Sequence, residues 1–337
     1  MRRTHDLPAG TVTRLTVHGR SLKGNLLGDP AARVVDVWTP PGHTGAGLPL
    51  LVDLAGFTGS GLSHSNWKNF GENLPERLDR LTAEGALPPV VVAMPDCFTR
   101  LGGNQYVDSP VMGSWMTFLC DELVPALEAQ FECGGTGRRG VFGKSSGGYG
   151  AIIHAMKRAD CWAAAACHSG DMAFELCYLP DMPNTLRSLA RHQGSIERFM
   201  TALEESYARK VGGNDTHVLM TLAMAASYDP APEEPFGIRL PVTLDTCEII
   251  PERWERWLDW DPVRLVDRHL DDLRSLKTLF IDCGDADQYN LVYGARRLHR
   301  SLDAAGFPHR YEEFADNHSS IDYRMDVSLP HLAAALT

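Results

Sequence analysis

Ser145 stands in Gly143-Lys144-Ser145-Ser146-Gly147-Gly148, directly after the strand-like run Gly140-Val141-Phe142. Gly-x-Ser-x-Gly between a strand and a helix is the pattern of a nucleophile elbow. The turn is so tight that the serine takes a strained backbone, and a side chain at either flanking glycine would collide with its neighbours. The stretch from Tyr149 to Met156 is rich enough in Ala and Met to carry the helix, whose free amides would face the serine. The chemistry this predicts is acyl transfer to a hydroxyl. A hydroxyl is a weak nucleophile until an imidazole takes its proton, and the imidazole needs a carboxylate to fix its tautomer.

Gly143-Lys144-Ser145 is also the tail of a phosphate-binding loop, G-x-x-x-x-G-K-[ST]. That loop requires glycine at 138, where the chain has Arg138. Gly137 is one residue too early, and the apolar pair Val141-Phe142 would fall inside the loop. The phosphate-loop reading fails on its length.

In a serine hydrolase with this elbow the acid and then the histidine follow in the chain. Phe280-Ile281-Asp282-Cys283-Gly284-Asp285-Ala286-Asp287 offers three aspartates past a strand. Asp282 falls within the strand, and the turn takes Gly284 first. Gly-x-x-Asp then places Asp287 on the loop as the expected acid, ahead of Asp285, which reads as a turn former bonding its own backbone. His318, in Asp316-Asn317-His318-Ser319-Ser320 after the last strand, is the expected base; His309 and His331 are poorly placed. An oxyanion hole needs two backbone donors aimed at the developing charge. The N–H of Ser146 is one, and Phe57 in Gly56-Phe57-Thr58-Gly59-Ser60-Gly61 is the expected other, with Thr58 next in line.

These residues need a scaffold. Apolar and β-branched runs predict strands at 13–19, 32–39, 49–56, 90–94, 140–142, 161–168, 278–282 and 309–314. Helices are expected at 74–84, at about 113–131 and after the elbow. Such alternation predicts an α/β fold, a mostly parallel sheet with helices on both faces and ligands at the carboxyl ends of the strands. Residues 172–270 break the rhythm, with helical patches at 186–191, 196–210 and 217–227, a proline-rich turn at 229–235, and Trp254, Trp257 and Trp260. The expected organisation is a core of 1–171 and 271–337 with 172–270 inserted as a cap over the site. Tryptophans spaced by three form a broad aromatic surface on a helix. That surface either glues the cap to the core or lends Trp254 or Trp257 to the substrate pocket.

Composition narrows the class. The 337 residues carry a net charge of −11 with no clustered basic run, which argues against nucleic acid or an anionic membrane as partner. Eight cysteines lie scattered without C-x-x-C pairs or zinc-like spacing, so a reduced, cytoplasmic setting is expected. Nothing resembles a secretory signal or a membrane span.

Taken in order, Val37 to Gly42, Asp53 to Phe57, Met94-Pro95-Asp96, Gly103 to Tyr106, Gly143 to Ala151, Gly284 to Asp287 and Asn317 to Ser320 resemble the putative esterase family of α/β-hydrolases. That family includes esterase D (S-formylglutathione hydrolase), enterochelin esterases and the mycolyltransferases. The resemblance spans roughly 32–324 outside the cap. It implies an α/β-hydrolase fold and hydrolysis of a small-molecule ester or thioester through an acyl-enzyme. No metal or organic cofactor is implied. A mid-sized ester is the expected substrate and a carboxylesterase the expected enzyme, with an acyltransferase as the rival and a non-catalytic binding protein as the remote third reading. Homo-oligomers are compatible with all three. Lys144 stands where esterase D-like enzymes often carry His, which weakens the expectation of S-formylglutathione. Its expected role is to steer an acidic substrate or to pair with a neighbouring carboxylate. His168, in His168-Ser169-Gly170-Asp171, is expected either to line the site or to be a satisfied core histidine.

Overall fold

In a computed structural model of the chain, residues 6–208 and 213–337 are described. Eight strands form one sheet: β1 (Thr11–His18), β2 (Ala32–Thr39), β3 (Leu50–Leu54), β4 (Val91–Pro95), β5 (Arg139–Lys144), β6 (Ala164–His168), β7 (Thr278–Gly284) and β8 (Arg310–Phe314). Their spatial order is β1-β2-β4-β3-β5-β6-β7-β8. From β4 onward all pairs are parallel, whereas β1–β2 and β2–β4 are antiparallel. Every residue of β3, β4 and β6 is buried, which is why these strands read as continuous apolar runs rather than alternating ones. β8, at the sheet's edge, carries Arg310, Glu312 and Glu313, charges that discourage a foreign strand from pairing there.

Helices cover both faces. On one lie α1 (Leu74–Ala83) and α9 (Met325–Leu336), whose Leu74, Leu78, Leu81, Leu329 and Leu332 meet Val92, Phe142 and Phe280 of the sheet. On the other lie α2 (Val124–Phe131), α3 (Ser146–Lys157) and α8 (Leu291–Ala304), packed on Val52, Val141 and Ile281. Asn73 caps α1, accepting from Glu76 N at 2.9 Å while the Glu76 carboxylate reaches back to Asn73 N. The expected helix at 113–131 is continuous from Trp115 but widens to a π turn over Phe118–Leu123, just before Pro125. A proline has no N–H to give to the preceding turn, and a local change of helical register accommodates it.

The segment 172–270 contributes no strand to the sheet. Its longer helices are α4 (Met182–Ala190), α5 (Ile196–Ser206), α6 (Gly213–Tyr228) and α7 (Pro251–Leu258). The expected helix at 196–210 is present as α5; 209 and 210 lie outside the described residues. Trp257, fully buried on α7, packs edge-on against Tyr178 and Tyr228 with ring centres 5.9 and 5.6 Å away. Tyr228 in turn meets Tyr149 of α3 at 5.7 Å, and the Tyr149 hydroxyl donates to Trp260 O. An aromatic cluster thus joins the segment to the helix that follows Ser145.

All eight cysteines are free, seven of them buried. No helix among the described residues is long and apolar enough to cross a membrane.

Candidate active site

The register of the sheet sets the site. Leu54 of β3 lies opposite Gly143 of β5, Lys144 opposite His168, His168 opposite Asp282, and Asp282 opposite Glu312. The loops after β3, β5, β6, β7 and β8 therefore leave the sheet at one edge. They bring Gly56, Ser145, Asp171 and His318 to the wall of a single cavity of about 550 Å³.

Ser145 has φ 58° and ψ −125°, an uncommon conformation for a residue with a side chain. Its neighbours show why glycine is required. A Cβ on Gly147 would lie 1.8 Å from Leu54 O, and one on Gly143 2.4 Å from the same oxygen. Strand β3 and the start of α3 touch through backbone, and the serine is presented at the crest of that contact. The Ser145 amide is fixed by His168 O at 2.9 Å.

His318 Nδ1 lies 2.7 Å from Asp287 Oδ2, and the other Asp287 oxygen accepts from Tyr289 N at 2.9 Å. Gln288 Oε1 accepts the His318 amide at 3.0 Å, and the Tyr289 ring packs edge-on against the imidazole at 4.9 Å. Of the aspartates past β7, Asp287 is buried against the histidine, Asp285 is exposed, and Asp282 belongs to the core. Gly284 makes the turn because a Cβ there would lie 2.4 Å from Asp316 O, on the histidine's own loop.

Phe57 and Thr58 both line the cavity. The Thr58 amide is spent on Gly102 O at 3.0 Å, whereas the Phe57 amide has no acceptor among the described residues. Ser146 opens α3, so its amide is one of those that no helix carbonyl can take. The Ser146 hydroxyl accepts from Gln105 Nε2 at 2.7 Å and faces Asp171 Oδ2 at 3.2 Å.

Of three pairs of alternatives left open by the sequence, one branch of each is corrected. His168 does not reach the cavity: it is buried, its Nδ1 held by Asp282 at 2.6 Å and its Nε2 by the Ser328 hydroxyl at 2.8 Å. Trp254 and Trp257 are likewise buried in the aromatic cluster and absent from the cavity wall. Among the described residues Lys144 makes no ion pair; the carboxylates that act on it are committed elsewhere, Asp322 to Lys68 at 2.6 Å and Asp287 to His318. Lys144 does line the cavity, and burial lowers its pKa from the usual lysine value.

Other wall residues escaped the sequence reading. From 172–270 come Cys177, Tyr178, Thr216, His217 and Met220. His64 also lines the cavity, with its Nδ1 in hydrogen-bond contact with the buried Asp53. Burial works against protonation of His64, but the Asp53 carboxylate outweighs it and the pKa rises. Asp171, whose Oδ2 accepts from the Tyr178 hydroxyl at 2.9 Å, is pushed up to about 6 by burial, against the pull of Tyr178 and His318. No local pattern announces these contacts. His64 and Asp53 are 11 positions apart, joined only because the loop after β3 folds back over the strand end.

The family described as Putative esterase matches residues 31–332. Among curated proteins no match is found. Among solved structures, the chain is similar to a ferulic acid esterase (18% identity, TM-score 0.61, covering 98% of this chain and 99% of that one). It is also similar to an S-formylglutathione hydrolase from Agrobacterium tumefaciens (16%, TM-score 0.58, 99% and 98%). A third is FphF, a fluorophosphonate-binding serine hydrolase of Staphylococcus aureus (14%, TM-score 0.58, 98% and 99%). At these identities the structures speak for the fold, and the family match over most of the chain speaks for the kind of enzyme. The chain belongs to the putative esterase family of α/β-hydrolases and is a serine ester hydrolase.

Proposed function

We propose that the protein is a carboxylesterase that hydrolyses a mid-sized ester through an acyl-enzyme on Ser145, with the segment 172–270 as the cap of its site. The observation that carries this reading is Ser145 at φ 58° in the same cavity as His318, whose Nδ1 rests on Asp287. In this reading His318 takes the serine proton as the hydroxyl attacks the ester carbonyl. Asp287 holds the Nδ1–H tautomer and steadies the imidazolium. Negative charge on the carbonyl oxygen falls to the amides of Phe57 and Ser146, which have no competing acceptor among the described residues. His318 then returns the proton to the departing alcohol, and a water repeats the sequence to release the acid. A cavity of about 550 Å³ suits a ligand of intermediate size, and Tyr178, His217 and Met220 supply the cap's share of its wall, a role the tryptophans do not have.

A fluorophosphonate probe tests the nucleophile. It should label the native protein at Ser145 and fail on Ser145→Ala, which should also lose on the order of 10⁶ in kcat. Asp287→Asn should lose on the order of 10⁴ by stabilising the wrong tautomer, while Asp285→Asn keeps most activity. Labelling that survives Ser145→Ala, or equal losses at 285 and 287, would overturn the assignment. Product analysis with added alcohols shows whether water or an alcohol takes the acyl group.

A further inference from the structure

We propose that the wall of the cavity formed by Lys144 and His64 is an anion subsite, so that the preferred ester carries a carboxylate. This rests on the esterase reading and names the class of substrate within it.

Lys144 is half-buried, lines the cavity and makes no hydrogen bond or ion pair among the described residues. Counterions are not scarce in this chain, which has 43 Asp and Glu against 32 Lys and Arg. Arginines of the core find their carboxylates: Arg80 pairs with Glu72 and Asp326, and Arg324 with Asp282 and Glu312. Desolvating an ammonium without a partner costs stability. A fold that tolerates this beside Ser145 leaves a place for a negative group that arrives with the ligand.

The rest of that wall is arranged consistently. Asp322, the carboxylate able to neutralise Lys144, is already held by Lys68. His64 turns its Nδ1 to Asp53, whose carboxylate favours the protonated ring, and in that form Nε2 is a donor as well. Asp53 is wholly buried and is absent from the cavity wall, and its Oδ2 faces the His64 ring, so its charge is not presented directly to the ligand. The remaining carboxylate on the wall, Asp171, already holds the Tyr178 and Ser146 hydroxyls and is pushed toward its neutral form. Lys144 shares the cavity wall with Ser145, so the anion it holds belongs to the ligand whose ester meets the serine, on either the acyl or the alcohol half.

Two matched pairs of esters test this. Mono-4-nitrophenyl adipate and its primary amide differ in acyl charge; 4-acetoxybenzoate and 4-acetoxybenzamide differ in leaving-group charge. In at least one pair the anion should have a kcat/KM at least about tenfold above its neutral twin, as one charge-assisted hydrogen bond would give. The preference should fall with added salt. Lys144→Met should abolish it, Lys144→Arg should keep most of it, and His64→Gln should reduce it. The subsite is overturned if the neutral twin is preferred in both pairs, or if the ratio is unchanged in folded Lys144→Met. In those two outcomes hydrolysis of the neutral esters leaves the esterase reading standing. If no ester in either pair is hydrolysed, the esterase reading falls and the subsite with it.

Discussion

Asp171 lines the site without being paired to a histidine, and its energetics can be checked separately from catalysis. Burial raises it from about 3.8 to about 6. The folded protein therefore holds this proton where the unfolded chain would release it. Stability is lost as pH rises through 4 to 6 and regained as it falls. Asp171→Asn keeps an acceptor for Tyr178 and removes the charge. At pH 8 the variant should be more stable than the native protein, by at most about 3 kcal/mol, and the gain should vanish near pH 4. Melting temperatures at the two pH values check this, and a variant less stable at pH 8 would contradict it. The contrast with Asp287 shows what the sequence could convey. The position of Asp287 beside His318 was legible because it depends on a turn four residues long, Gly284 to Asp287. The partners of His168 were not, since Ser328 lies 160 positions away and the two meet only when α9 packs across the sheet.

At the level of elements, the strands were legible because a strand buried on both faces has to be apolar throughout, as Leu50–Leu54 and Val91–Pro95 are. The antiparallel course of β1 and β2 was not, because direction depends on connections rather than on composition. In the segment 172–270 the helices could be read, but not which of them face the ester. Periodicity shows that α7 has an apolar face without saying what covers it, and Tyr228 and Tyr178 do so. Trp257→Ala should therefore cost roughly 3–5 kcal/mol and lower activity on all esters alike. Met220→Ala, on the cavity wall, should leave the melting temperature nearly unchanged and shift the preferred acyl chain length. Melting curves and kcat/KM over a series of 4-nitrophenyl esters from acetate to decanoate separate the two. A length shift with Trp257→Ala would return the tryptophan to the pocket.

On the scale of the whole molecule, composition indicated a globular chain with free thiols, and the seven buried cysteines fit that reading. The cavity itself could not be seen in any one stretch, because its wall combines Gly56 and His64, Lys144 and Ser145, Asp171 and Tyr178, His217 and Met220, and Tyr289 and His318. That distribution has a consequence for the order in which the molecule becomes competent. A chain emerging N-terminus first carries its nucleophile long before His318 exists, and the histidine is placed only when β8 docks at the sheet's edge and α9 closes over it. No partial fold has the complete constellation, so a nascent or truncated chain cannot act on esters before it is whole. Contacts so distant in sequence form late. In refolding from denaturant, recovery of esterase activity should lag behind the far-ultraviolet signal of the helices, and activity that returned in step with that signal would mean the last strand docks early.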